Sequence, residues 1–206
     1  RPDIRTGLPT CQHRRAVVHS CVDVIPNGVD VNRFRDAEPR EQERPYLLTV
    51  GRLEEYKGVQ YVIRAMSELP EYDLLVAGSG PYREGLEQIA REEGIEDQVT
   101  FLGYVGEEEL PQLYAGAEVH VTMSEFEAYG MTVAEALAAG TPCIIRNKGG
   151  LRDWSTRKSV ASVDEVCSKS IGRAIKDAID FGIVSEDIVS WRKVAEKCAV
   201  VYTNQL

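Results

Sequence analysis

The chain has 206 residues, of which 43% are hydrophobic, so it can bury the core of one α/β domain. Its 33 acidic residues outnumber 24 basic ones, and the formal net charge is −9. This balance argues against a surface built for nucleic acid, where a basic face is expected, and solubility in water is the simpler explanation for it.

The first 24 residues mix arginine, proline, cysteine and histidine without a regular apolar period, so we interpret residues 1–24 as a lead-in or linker. At their end, Val22–Ile25 is a short strand candidate, and the turn-rich segment Pro26–Asp30 follows it. Residues 25–206 are predicted to form a single domain.

From Tyr46 onward, short apolar runs alternate with stretches of helical spacing. The runs that predict strands are Tyr46–Val50, Asp73–Ala77, Val99–Leu102, Glu118–Thr122 and Pro142–Arg146. Helices are predicted between them: one has Val59, Val62, Ile63 and Met66 at i, i+3, i+4 and i+7, and another is Gly130–Ala139. Two further helices are predicted near the end of the chain, one containing Cys167 and Ile171 and the other containing Ile188, Trp191 and Tyr202.

This alternation of strands and helices is typical of a doubly wound parallel sheet, a Rossmann-like α/β fold. Ligands bind such sheets outside the carboxyl ends of the strands. The segments at those ends are Gly51-Arg52, Gly78–Gly80, Gly103-Tyr104, Ser124–Gly130 and Asn147–Gly150. Because glycine lets a backbone approach a ligand closely, this edge of the sheet is the predicted active face.

Two cations, Arg52 and Lys57, follow the first regular strand. Arginine can bind phosphate oxygens with two donors and lysine adds a mobile charge, so the pair suits a pyrophosphate. The alternative is that both are solvated surface cations balanced by Glu54 and Glu55, and the sequence leaves it open.

The segment from Ser124 to Ala136 carries two glutamates that flank a predicted helix start. Gly130 opens the helix, so the free N–H groups of Met131 and Thr132 can face a phosphate. Because carboxylates accept hydrogen bonds from sugar hydroxyls, one of Glu127 and Glu135 would hold the transferred sugar and the other the ribose. The alternative is that Glu135 caps the helix or pairs locally, and that Glu127 is simply exposed.

Other motifs for catalysis or metal binding are weak or missing. Gly78-Ser79-Gly80-Pro81 lacks the third glycine of a dinucleotide loop, and a tight turn explains it. The three histidines have no metal-ligand spacing, and His120 is interpreted as a packed or surface residue rather than a catalyst. No Asp-x-Asp occurs, so no metal cofactor is expected to hold a diphosphate.

Cysteine usage and hydropathy indicate the compartment. The five cysteines have wide spacings without a C-x-x-C, which favours a reducing environment over a disulfide framework or a zinc site. These cysteines are Cys11, Cys21, Cys143, Cys167 and Cys198. No segment has the pattern of a signal peptide or a bilayer span, so we expect a cytoplasmic protein.

In register, these segments resemble the retaining family 4 glycosyltransferases, which have the two-domain GT-B fold. The segments that carry the resemblance are Val24–Asp30, Val50–Arg52 with Lys57-Gly58, Ala77–Pro81, Phe101–Tyr104, and Glu127 and Glu135-Ala136 followed by Ala139–Pro142. The resemblance implies the C-terminal, donor-binding lobe of such an enzyme. It covers roughly residues 22–150, and the GT-B amino-terminal acceptor lobe is expected to be missing from this chain.

The resemblance also implies residue roles. It makes Glu127, Arg52 and Lys57 the catalytic candidates, with the two cations on the donor diphosphate and Glu127 on hydroxyls of the donor sugar. Tyr104 and Val105 would face the base, and Glu135 the ribose. Gly58 and the backbone of Ala128, Tyr129, Gly130, Met131 and Thr132 complete the substrate-binding candidates.

One stretch departs from the family pattern. Asp153 fits the acidic residue that the family tends to carry three positions after its second glycine, here Gly150. The apolar, glycine-rich strand expected next is replaced by Trp154–Val160, so no strand is predicted there. The resemblance therefore gives no expectation for the wall of the donor site that this region contributes in the family.

The main hypothesis is a retaining, metal-independent hexosyltransferase domain that binds a nucleotide sugar such as a UDP- or GDP-hexose. One alternative is a non-catalytic nucleotide-binding module. The other is an NAD-dependent oxidoreductase domain, against which the missing third glycine counts. The acceptor is not predicted, and peripheral membrane association through the missing lobe stays open.

Overall fold

Six parallel strands form one sheet in the computed structural model, which describes residues 24–179 and 186–203. The strands are β1 (Tyr46–Val50), β2 (Asp73–Ala77), β3 (Val99–Gly103), β4 (Val119–Thr122), β5 (Cys143–Arg146) and β6 (Val160–Val163). Their order across the sheet is β3-β2-β1-β4-β5-β6, the doubly wound order. The predicted fold class is therefore confirmed.

Helices cover both faces of the sheet. They are α1 (Val31–Arg35), α2 (Val59–Ala65), α3 (Arg83–Glu92), α4 (Leu110–Gly116), α5 (Met131–Ala139), α6 (Ser168–Ile179) and α7 (Trp191–Thr203). Short 3₁₀ turns occur at Glu55–Lys57, Met66–Glu68, Glu96–Gln98 and Gly149–Trp154. None of the helices in the described ranges combines the length and hydrophobicity that a bilayer span requires.

The core has two layers because successive strand residues point to opposite faces. Leu47 and Leu74 pack in the layer beneath α2, α3 and α6. Their neighbours Leu48 and Leu75 pack in the layer beneath α1, α4 and α5. Strands that are buried on both faces read as continuous apolar runs, which is why five of them could be predicted from the sequence, each to within one residue at either end.

Three local expectations are corrected. The strand thought to be replaced after Gly150 is present as β6, which pairs with β5 from Cys143↔Val160 to Arg146↔Val163. The strand candidate near residue 24 is wrong for Val24 and Ile25, which have no regular structure, while residues 22 and 23 lie outside the described residues. Ile188 is buried but precedes α7 instead of belonging to it.

The remaining linker residues, with Cys11, Cys21, His13 and His19, also lie outside the described residues. Among the described cysteines, Cys143, Cys167 and Cys198 are free thiols.

Candidate functional site

The point where the strand order reverses lies between β1 and β4. Crossovers leave β1 in one direction and β4 in the other, so a crevice opens outside their carboxyl ends. The residues that line the crevice include Arg52, Lys57 and Glu127. The structure thus brings together the three predicted catalytic residues, although 70 positions separate Lys57 from Glu127.

A close backbone contact brings Lys57 to the end of β4. Gly58 follows Lys57 with a φ of 74°, and a Cβ there would lie 2.3 Å from the carbonyl oxygen of Met123. The N–H of Glu125 also donates to the carbonyl of Tyr56 at 2.8 Å. Only glycine fits this left-handed position against a neighbouring backbone, so Gly58 allows the chain after Lys57 to pack against the end of β4.

Lys57 and Glu127 form an ion pair inside the crevice. The Lys57 Nζ lies 2.5 Å from Glu127 Oε1, and the two side chains are 21% and 22% exposed. Arg52 differs, because its side chain is 73% exposed and its Nη2 lies 2.7 Å from Glu54 Oε1. Arg52 is therefore solvated and paired with Glu54, as in the alternative interpretation, while Lys57 is held within the site.

The loop after Glu127 leads directly into α5. Gly130 has a φ of 88°, and its carbonyl accepts the N–H groups of Val133 and Ala134 at 3.0 and 3.2 Å. The N–H groups of Met131 and Thr132 come before these first helical hydrogen bonds, as the sequence pattern predicts. A helix start with free N–H groups is a favourable place for an anion.

Glu135 lies one turn further along α5 and has a partner of its own. The Tyr114 Oη donates to Glu135 Oε2 at 3.1 Å. Burial raises the pKa of Glu135, while this hydrogen bond and the charge of Arg33 lower it. Burial also raises the pKa of Tyr114 well above its ordinary value. Glu135 thus pairs locally with Tyr114, and its contact with a ribose stays a prediction.

The residues proposed to face a base lie just beyond β3. The side chain of Tyr104 is 82% exposed, and the half-buried Val105 packs against the core. Their role stays a prediction.

Sequence reasoning missed a second group of charges at the end of β5. The Lys148 Nζ donates to Glu125 Oε1, and Arg146 Nη2 lies 3.9 Å from the same oxygen. The hydrogen bond from Lys148 and its charge lower the pKa of Glu125. The Asn147–Gly150 segment was recognised as a strand end, and its lysine was the signal that could have found this group.

The weaker motifs have structural explanations. A Cβ on Gly78 would lie 1.8 Å from the carbonyl oxygen of Gly51, and one on Gly80 would lie 2.3 Å from that of Leu53. Both glycines therefore serve tight packing between loops. His120 is fully buried with its Nδ1 3.1 Å from the carbonyl of Leu48, which confirms it as a packed residue.

Across the described ranges, no three His, Cys, Asp or Glu side chains come together as a metal site would require. The expected independence from metal ions stays a prediction.

Comparison with known proteins identifies the family. A sequence profile described as "Glycosyl transferases group 1" matches residues 30–188, which is most of the chain. The chain belongs to the group 1 glycosyl transferases. The matched residues include every strand and the whole β1–β4 crevice.

Two relatives show how much of a group 1 glycosyl transferase this chain represents. An uncharacterised glycosyltransferase of Methanocaldococcus jannaschii is 37% identical over an alignment of 147 residues, gaps included, that covers 64% of this chain and 38% of the relative. The 2-deoxystreptamine glucosyltransferase of Streptomyces kanamyceticus is 31% identical over an alignment of 201 residues, gaps included, that covers 84% of this chain and 51% of the relative. The chain therefore spans about half the length of these curated relatives, or less.

A solved structure agrees on the architecture. HepE of Anabaena in complex with UDP matches this glycosyl transferase chain with a TM-score of 0.79 at 20% identity, over 89% of this chain and 57% of the HepE chain. Identity this low supports the fold alone. The likeness confirms the expected Rossmann-like fold, and the family match identifies it as that of a group 1 glycosyl transferase.

Proposed function

We propose that this chain binds a nucleoside-diphosphate sugar in the β1–β4 crevice and forms the donor-binding part of a retaining glycosyltransferase. The observation that carries the proposal is the meeting of Lys57 and Glu127, at 2.5 Å, beside the start of α5. A cation, a carboxylate and free N–H groups in one crevice match a diphosphate joined to a hydroxylated ring. The UDP complex of HepE, which shares this fold, supports a nucleotide ligand.

In the proposed complex the cations neutralise the diphosphate. Breaking the bond between the sugar and the phosphate places negative charge on the leaving group, and charges fixed in advance stabilise it. Lys57 is already held in the crevice, and the exposed Arg52 is free to turn towards the phosphates. With the N–H groups of Met131 and Thr132, these cations would take the place of a metal ion.

The carboxylates would bind hydroxyl groups. Glu127 accepts hydrogen bonds from the donor sugar, and Glu135 accepts them from the ribose. Tyr104 and Val105 lie two strands from β1 at the same sheet edge, where they would meet the base. The donor is a UDP- or GDP-hexose in this proposal, transferred with retention to an acceptor bound by another part of the protein.

A thermal-shift screen of the 206-residue chain tests the proposal. A ligand that binds only the folded state adds about 2.7 kcal/mol to the free energy of unfolding when its concentration is about a hundred times its Kd. The melting temperature rises as a result. We expect a UDP- or GDP-hexose to raise it, with and without EDTA. Lys57→Ala should abolish the shift, whereas Lys176→Ala, an exposed lysine on α6, should keep it. A shift with NAD alone would favour the oxidoreductase hypothesis instead.

The non-catalytic alternative needs a separate experiment, because it too predicts nucleotide binding. Glu127→Ala is made in a longer protein that contains this chain and transfers sugar. Loss of transfer supports a catalytic site, whereas unchanged turnover favours a nucleotide-binding module.

A further inference from the structure

The stretch that departs from the family pattern lies directly against the donor loop, defined as residues 127–130. The N–H of Gly150 donates to the carbonyl of Glu127 at 2.8 Å. A Cβ on Gly150 would lie 2.3 Å from the carbonyl oxygen of Ala128, so the two backbones are in close contact. The 3₁₀ turn Gly149–Trp154 thus supports the loop that carries Glu127.

Trp154 makes the second attachment. The residue is 6% exposed, and its Nε1 donates to the carbonyl of Tyr129 at 2.5 Å. The rings of Trp154 and Tyr129 meet edge to face, with centroids 5.2 Å apart and planes at 73°. Indole N–H is a donor only, so this carbonyl is a matched partner for it. The loop is therefore held at two consecutive stretches of its backbone.

Trp154 is itself held in place by Arg157, which packs on its ring. The guanidinium of Arg157 lies 5.9 Å from its ring centroid. Arg157 Nη1 is 3.5 Å from Glu186 Oε2, and the other oxygen of Glu186 accepts the N–H and hydroxyl of Ser159 at 3.2 and 3.1 Å. This chain of contacts connects the donor loop to the residue next to β6.

We infer that Trp154 is a positioning residue for the donor, which rests on the function proposed above. Gly130, which has a left-handed backbone, ends the loop. Because glycine allows many backbone conformations, the loop needs other contacts to hold Glu127 in one orientation. By fixing the carbonyl of Tyr129, Trp154 sets the direction in which Glu127 and the N–H groups at the start of α5 face the crevice. Positioning of this kind orders the loop before the ligand arrives, which lowers the entropic cost of binding.

The experiment compares the two tryptophans of the chain. Trp154→Phe keeps a ring against Tyr129 and removes the N–H donor, and Trp191→Phe changes a residue on α7 that is 55% exposed. The dissociation constants of UDP, GDP, UDP-glucose and GDP-mannose are measured by calorimetry well below the melting temperature. We expect Trp154→Phe to weaken nucleotide-sugar binding about three- to tenfold, as the loss of one hydrogen bond implies, and Trp191→Phe to leave it unchanged.

A merely structural tryptophan gives a different result. Trp154→Phe would then lower the melting temperature and leave every dissociation constant as in the wild type, which overturns the inference while the proposed function stands. A wild-type chain that binds none of the four ligands overturns both.

Two further measurements keep the inference testable if Trp154→Phe folds poorly. Gly150→Ala displaces the carbonyl of Ala128 with Trp154 intact, and it should weaken nucleotide-sugar binding in the same way. In the Trp191→Phe background, Trp154 is the sole tryptophan, so its emission should change as the nucleotide sugar saturates the site. Wild-type affinity in Gly150→Ala together with unchanged emission contradicts the inference.

Discussion

Lys57 and Glu127 neutralise each other in the β1–β4 crevice. Both side chains are about four-fifths buried, so either one alone would be a poorly solvated charge. In the proposed complex each receives a replacement partner, because the diphosphate takes the lysine and the sugar hydroxyls take the carboxylate. The ion pair thus keeps both groups in position until the donor arrives.

His120 makes the stability of the protein depend on pH. It is fully buried, with Leu48 O at its Nδ1 and the ring of Tyr114 5.4 Å away, centroid to centroid, and no hydrogen-bond partner at Nε2 among the described residues. Burial lowers its pKa to about 4 from an ordinary 6.5, despite the hydrogen bond that its Nδ1–H donates to the carbonyl of Leu48. Between pH 6.5 and pH 4, His120 is therefore neutral in the folded state but protonated in the unfolded chain.

We predict that this residue contributes stability that is fully present above pH 6.5 and is lost as the pH falls towards 4. The lowered pKa corresponds to a loss of about 3 kcal/mol in the free energy of unfolding between pH 6.5 and pH 4. His120→Asn keeps a donor near Leu48 and removes the titration. Denaturant unfolding between pH 7 and 4 should show a smaller loss in the variant, and parallel losses would contradict the assignment.

At the scale of elements, α6 completes one face of the fold by packing on α2 and β6. Its apolar side is centred on Ile171 and Ile175, which are fully buried in the same core layer as Val62 and Ile63. We expect Ile175→Ala to lower the free energy of unfolding by about 2–5 kcal/mol, through lost burial and a residual cavity.

The neighbouring Lys176 is exposed and provides the control. Lys176→Ala should change the unfolding free energy by no more than about 0.5 kcal/mol. Urea titrations with unchanged m-values would establish that the two variants unfold by the same transition. Equal stability of the two variants would mean that α6 is not part of the cooperative core.

The elements also show where sequence patterns stop being informative. Strands β1 to β5 are predicted because each is a short, mostly apolar run. β6 was missed because Ser162 interrupts its four residues and the irregular Gly149–Trp154 segment precedes it. α1 was missed because its five residues span little more than one turn, and Phe34 is its one buried side chain.

On the scale of the whole molecule, the location of the site was predictable and its internal contacts were not. Strand ends in a doubly wound sheet share one edge, which is enough to place Arg52, Lys57 and Glu127 near each other. The bond from Tyr114 to Glu135, in contrast, joins two helices whose relative position follows from packing. No local pattern records such a contact.

The chain covers 51% of the Streptomyces relative and 38% of the archaeal one. Because it spans only part of such an enzyme, we expect it to bind the donor without transferring the sugar efficiently. Transfer requires donor and acceptor to be held in one geometry, and the acceptor is proposed to bind elsewhere in the protein. We predict that the 206-residue chain binds nucleotide but transfers little sugar. Consumption of radiolabelled donor, with a longer protein that includes the acceptor lobe as control, measures this. Comparable turnover by both would refute the prediction.

The pairing of β1 with β4 has a kinetic consequence. Strands β1 to β3 and strands β4 to β6 each form a half-sheet from sequence neighbours, and among the described strands β1 and β4 join the halves. Their register pairs Leu47 with Val119, 72 positions away. Long-range pairings form late because the entropy of loop closure opposes them. The crevice lies on this seam, so we expect the ability to bind a ligand to appear late in folding, together with the β1–β4 pairing, and ligand binding followed during refolding would measure this.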